Sequence, residues 1–141
     1  MQFKQNIADE FGRSETSPWL RLVLVTIGAY VEYILGKQMV VTDILRDPLV
    51  QLQWCRSGGY KSGFRHCIGE AADIRSRNFT QEEQDKLLIF VNSTLMRFCR
   101  LQFHSQGTAP HFHVELIGEC HKGDVLHAAV KNAQAEEWFA G

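Results

Sequence analysis

Apolar and polar positions divide the chain into segments of distinct period. Residues 2–12 are polar with apolar positions at Phe3, Ile7, Ala8 and Phe11, a spacing that suits a short amphipathic helix. Ser17-Pro18 opens a second helix, with serine as N-cap and proline in the first turn. It is expected to run from Pro18 to about Leu35 and to stop at Gly36. Its residues are apolar on more than one face, so it should be largely covered. Gln38–Leu45 is rich in β-branched and apolar residues and reads as a strand, closed by Arg46-Asp47-Pro48. Residues 49–64 carry Ser57-Gly58-Gly59-Tyr60 and read as an irregular loop. Ala71–Arg75 reads as a strand. Thr80-Gln81-Glu82-Glu83 is a capping box, and the helix after it, about Gln81 to Arg100, places Leu87, Leu88, Val91, Leu95 and Phe98 at helical spacing. Residues 101–110 read as loop or a short strand, and Phe112–Ile117 as a strand. Gly118 and Gly123 break the next segment, and an Ala-rich stretch from Val125 to Phe139 reads as a terminal helix.

Strand and helix do not alternate strictly. The order therefore favours an α+β fold, a small antiparallel sheet flanked by helices, in one domain spanning 1–141. Composition agrees: 141 residues, 45% hydrophobic and 22% charged, support a single core. A formal net charge of −1 gives no basic field for nucleic acid or an anionic membrane. The most apolar stretch, Trp19–Leu35, carries Arg21 and Glu32 and reads as a core helix rather than a span. The N-terminal residues lack the pattern of a secretory signal, so synthesis in the cytoplasm is expected. Cys55, Cys67, Cys99 and Cys120 stand singly, without a C-x-x-C pair, and read as free thiols.

Candidate chemistry lies in two stretches. His66 and Asp73 are seven positions apart. On one straight strand, at about 3.3 Å per residue, they would be over about 20 Å apart, so the chain must fold back between them. Gly69 permits a tight turn there, and Ala71 and Ala72 leave room for close packing. Downstream, His111, His113 and Glu115 alternate and share one face of a strand. Histidine nitrogens and a carboxylate are zinc ligands, and three of them leave a fourth position open, the pattern of a catalytic ion. His66, Asp73 and one of His111 or His113 make such a set; all four together would make a closed, structural site. Taken singly, each stretch has a plainer meaning, an ion pair or a solvated pair of histidines. His104, His121 and His127 read as ordinary surface or satisfied histidines.

His66-x-x-Gly69-x-Ala71-x-Asp73 followed by His111-x-His113 resembles the zinc peptidases grouped with D-alanyl-D-alanine carboxypeptidases and dipeptidases, lysostaphin-type enzymes and the hedgehog signalling domain. The likeness covers about residues 38–117. It implies a small hedgehog/DD-peptidase-like α+β fold, one zinc, and hydrolysis of peptidoglycan stem peptides. It implies His66, Asp73 and His113 as ligands and His111 as the group acting on water. Alignment on Pro-His-Phe, as in phage endolysins of the group, would instead make His111 the ligand. Thr42-Asp43-Ile44-Leu45-Arg46 resembles the family's strand ending in arginine, which implies that Arg46 contacts the substrate. The chain departs from the pattern twice. Phe64 stands where a serine is common, and 104–110 contains no acid where many members carry a general base. His111, or Glu115 from the same face, would then supply the base.

The expected function is metal-activated hydrolysis of a cell-wall peptide bond, of DD-carboxypeptidase or L-Ala–D-Glu endopeptidase type, in a phage or prophage endolysin or a virion component. Two other readings remain: a zinc-stabilised structural or binding domain without turnover, and a cytoplasmic dipeptidase acting on free D-Ala-D-Ala.

Overall fold

Along His111–Leu116 side chains alternate between two environments. Phe112, Val114 and Leu116 are fully buried in a hydrophobic core, while His111, His113 and Glu115 point to the other side. That strand is central to the molecule. The computed structural model describes residues 1–47, 49–50, 53, 64–105 and 109–121. Its elements in chain order are β1 (Gln2–Phe3), α1 (Ile7–Gly12), α2 (Pro18–Tyr33), β2 (Val40–Asp43), α3 (Phe64–Cys67), β3 (Ala71–Arg75), α4 (Gln81–Thr94), β4 (Cys99–His104) and β5 (His111–Leu116), followed by a single 3-10 turn at Gly118–Cys120.

The strands form one five-stranded sheet in the order β1-β2-β3-β5-β4. β1 runs parallel to β2 and the other pairs are antiparallel, so the sheet is mixed rather than wholly antiparallel. The expected short helix over 2–12 is thus divided: Gln2 and Phe3 pair with Val40 and Val41, and only Ile7–Gly12 is helical. The α+β class stands.

α2 begins as its sequence dictates. Ser17 Oγ accepts from the amide of Trp19, and Pro18 needs no amide partner. It buries Leu20, Val23, Leu24, Ile27 and Val31. Trp19, Leu22 and Val25 are exposed, so the helix is covered on one face and not all round. α4 carries the capping box in full: the Glu83 amide donates to Thr80 Oγ1 (3.2 Å) and the Thr80 amide to Glu83 Oε1 (2.8 Å). It ends at Thr94, well short of Arg100. Residues 99–104 instead pair with β5 along six positions, from Cys99 opposite Leu116 to His104 opposite His111. A full ladder of hydrogen bonds and the burial of Leu101 outweigh the helical spacing of Leu95 and Phe98. The Asn92 side chain fastens helix to strand, donating to the Leu101 carbonyl and accepting from its amide, each at 2.9 Å.

The core lies between one face of the sheet and α2 and α4, where Val41, Ala72, Ile74, Phe112 and Val114 meet Leu24, Ile27, Leu87 and Val91. Phe112 makes edge contacts with Phe79 (6.3 Å) and Phe103 (5.6 Å). Burying such a ring is worth about 1.5–3 kcal/mol, and a one-residue slip of β5 would forfeit it while turning the histidines inward. The register of the polar face is therefore set by the apolar one. Cys99 is a free thiol, and burial pushes it up to about 12; Cys55 lies outside the described residues. Among the described residues no helix is long and apolar enough to cross a membrane. Most of the expected 49–64 loop, the break at Gly123 and the helix at 125–139 fall outside the described residues.

Lys37 ties the C-terminal side of α2 to the start of α4, donating to Glu83 Oε1 (2.6 Å) and to the Asn78 carbonyl (2.7 Å). The hydrogen bond from Lys37, then that from the Thr80 amide, pulls Glu83 down from 4.5 to about 2. A depressed carboxyl stabilises the fold above its unfolded value and loses that contribution as pH falls toward the folded one. Thermal unfolding of Glu83→Gln should therefore show a lower Tm than wild type at pH 7. The difference should shrink steadily between about pH 5 and pH 2.

Candidate metal centre

Three segments converge on the sheet face opposite the core. The first is α3, whose entry is fixed by the backbone: the Arg46 amide donates to the His66 carbonyl (3.2 Å) and the Glu70 amide to that of Arg65 (3.0 Å). The fold-back comes at Gly69, whose φ of +71° favours glycine. A Cβ there would collide with the carbonyl of Glu15, and the Gly69 carbonyl accepts from the Ser17 amide (2.9 Å). The turn is thus packed against the segment that starts α2. Ala71 and Ala72 are fully buried immediately after it.

His66 is almost completely buried. Its Nδ1 lies 2.9 Å from the Ile44 carbonyl oxygen, which can only accept, so the proton is on Nδ1 and Nε2 is left facing Asp73 Oδ1 at 3.2 Å. A lone pair and a carboxylate oxygen at that separation require a positive charge between them, either a second proton or a metal ion. In the absence of metal the proton is favoured. Burial works to lower the pKa of His66, yet the charge and hydrogen bond of Asp73 leave it raised. Burial likewise works to raise Asp73, and the charge of His66 with the hydrogen bonds of His113 and His66 holds it far below the usual carboxylate range.

Asp73 and His113 are direct cross-strand partners on β3 and β5, and His113 Nδ1 lies 3.2 Å from the same Asp73 Oδ1. The donor atoms of His66, Asp73 and His113 all lie within 4.8 Å of one another. Ligands at 2.0–2.2 Å from a tetrahedral zinc are spaced by about 3.3–3.6 Å, slightly wider than the two 3.2 Å separations here. The donor set, its spacing and the fixed tautomer of His66 suit a divalent ion with a position left open. Cys67 is not part of this group of donor atoms.

The other expected residues are arranged around this trio. His111 opposes Arg75 on β3 and His104 on β4. Its Nδ1 donates to the Ala109 carbonyl (2.9 Å) and its Nε2 stands 3.7 Å from Asp73 Oδ2. It is therefore close to the site but outside the ligand trio. Arg46 pairs with Asp43 Oδ2 (2.5 Å) and lies 3.7 Å from Asp73 Oδ2. An irregularity in the β2–β3 ladder sets Asp43 opposite Asp73, and the buried guanidinium compensates the two like charges. Glu115 shares the face of His113, but its carboxylate is held by Arg65 Nε and an Arg100 terminal nitrogen, both at 2.8 Å. Burial would raise its pKa, and these two arginines bring it down overall. Glu115 is therefore an ionised, doubly paired group.

Two histidines read as ordinary have defined places. His121 pairs with Glu70 in a buried contact away from the trio. His104 is in the site itself. Its ring lies 5.8 Å from that of His111 in a stacked arrangement and 5.4 Å from that of His113. Burial, then the neighbouring His113 and His111, lowers its pKa. Reading 99–104 as a strand would have found it, because Arg100, Gln102 and His104 then share a face. His127 lies outside the described residues. Comparison of the chain with protein-family models, curated proteins and solved structures found no match.

Two outcomes follow from this geometry. Titration with zinc or cobalt should give one site per chain. His66→Ala, Asp73→Ala and His113→Ala should each weaken it by at least about 100-fold, while His111→Ala should leave affinity within a few-fold of wild type. Equal losses in His111→Ala and His113→Ala would instead make both histidines ligands. Gly69→Ala should lower stability to denaturant by at least about 2 kcal/mol, since both its φ and its contact with Glu15 must change.

Proposed function

We propose that the chain is a zinc-dependent peptidase acting on stem peptides of bacterial peptidoglycan, in the manner of the small endolysins its motifs resemble. The observation that carries this reading is the convergence of His66 Nε2, Asp73 Oδ1 and His113 Nδ1 at ligand spacing, with His111 beside them and outside the set. Zinc held there would polarise a scissile carbonyl and bring the pKa of a water to about 7. His111 presents Nε2 to the same space, its Nδ1 proton committed to Ala109, and in this reading accepts the proton of the attacking water. Asp73 faces that imidazole and stabilises it once charged. Arg46 steadies the Asp73 carboxylate and, in this reading, orients the substrate carbonyl or carboxylate. Hydrolysis breaks the amide C–N bond, and the proton gathered by His111 passes to the leaving amine. Glu115, tied to two arginines, braces the wall of the site; His111 is the better candidate for base.

The second reading, a zinc-stabilised structural or binding domain such as a virion component, draws on that pairing of Glu115 and on the absence of an acid in 104–110. Incubation of purified peptidoglycan of several chemotypes with zinc-loaded protein, followed by mass spectrometry of soluble products, separates the two. The peptidase reading expects released stem-peptide fragments from wild type. It also expects activity to fall by at least about 100-fold in His111→Ala with zinc retained. No product on any wall type would leave the binding domain as the function.

A further inference from the structure

The polar face of the sheet extends one strand beyond the metal trio, to the edge strand β4. There Gln102 stands opposite His113 and His104 opposite His111. His104 Nε2 lies 3.2 Å from Gln102 Oε1, an oxygen that only accepts, so the imidazole donates to it. The His104 ring stacks beside that of His111, at 5.8 Å between centroids and 30° between planes, and lies tilted against that of His113 at 5.4 Å. His111 is thus restrained in two ways: the Ala109 carbonyl takes its Nδ1 proton, and the His104 ring limits rotation about its Cβ–Cγ bond. Neither Ala109 nor His104 is a ligand of the trio, and by holding the ring they set the direction of the Nε2 turned to Asp73.

We infer that His104 is a positioning residue. Held by Gln102, it acts as an aromatic backstop that fixes the ring plane of His111 and so the aim of its Nε2. The inference rests on the peptidase reading only for its kinetic consequence; the orientation of His111 is a property of the fold. Stacking is the operative contact, so a phenyl ring at position 104 should substitute for the imidazole. An interaction through a His104 nitrogen would not survive that exchange.

The test uses the full chain, with and without zinc, as wild type, His104→Ala, His104→Phe and Gln102→Ala. Long-range 15N correlations of the histidine rings report the tautomer and mobility of His111, and peptidoglycan hydrolysis reports kcat and KM. Wild type should show His111 as a single Nδ1-protonated tautomer. His104→Ala should show averaged or broadened His111 signals, unchanged zinc affinity, and a kcat about tenfold lower at unchanged KM. His104→Phe should restore both the signals and kcat, and Gln102→Ala should lie between. The inference fails if His104→Ala leaves the His111 signals and kcat as in wild type, or if His104→Phe is as impaired as His104→Ala. Should His104→Ala not fold, Gln102→Ala against His104→Phe decides on the same readouts. If wild type hydrolyses nothing, the peptidase reading falls while the ring signals still decide the role of His104.

Discussion

The structure depends on a single carboxylate. Asp73 is nine percent exposed and is met by His66, His113, His111 and Arg46. Burying a charge without partners would cost far more than any one core contact supplies, so an unpartnered Asp73 would not stay ionised there. These partners arrive from three parts of the chain: His66 from a short helix, His111 and His113 from a neighbouring strand, and Arg46 from the segment after β2. The fold is therefore organised to deliver positive charge to one point. An ion at that point would take the place of the protons that His66 Nε2 and His113 Nδ1 turn toward Asp73.

The delivery uses ordinary means. A glycine turn brings His66 back over the strand that carries Asp73. The antiparallel register puts His113 directly across from it, and the Ile44 carbonyl chooses which nitrogen of His66 faces inward. None of these needs a strained side chain, and all are supported by packed backbone. The second tier is of the same kind. Arg46 lies between Asp43 and Asp73, Glu115 between Arg65 and Arg100, and His104 against His111. Charged and aromatic groups on this face are joined in pairs and chains, which rigidifies the site.

Local signals were the legible ones. The Ser17-Pro18 start, the Thr80–Glu83 box, the strand at Ala71–Arg75 and the turn at Gly69 are written in residues close to one another, and each lies where its pattern put it. His66, Asp73 and one of His111 or His113 were legible as a set from their types and spacing, and the choice of His113 came from the family resemblance. What escaped was decided at long range. Cys99–His104 has helical spacing at its start and becomes a strand only because β5 offers a ladder, so His104 could not be placed by its neighbours in sequence. The engagement of Glu115 is equally non-local: Arg65 and Arg100 lie far from it along the chain, and nothing around Glu115 announces them. The parallel pairing of Gln2–Phe3 with β2 is too short to leave a pattern at all.

The two-sided strand His111–Leu116 has a consequence for how the chain can diverge. Its even positions anchor the core and its odd positions line the site, with Phe112 standing between the two histidines in sequence and pointing to the opposite face. A single-residue insertion or deletion within it would exchange the two sets together. Such a change would be penalised as a folding defect before any chemistry was tested. Point substitutions on the odd positions, by contrast, leave the aromatic and aliphatic anchors in place. The strand thus tolerates rewriting of its reactive face while resisting any change of length. A lineage could gain, alter or abandon the chemistry of this face and still inherit the same fold.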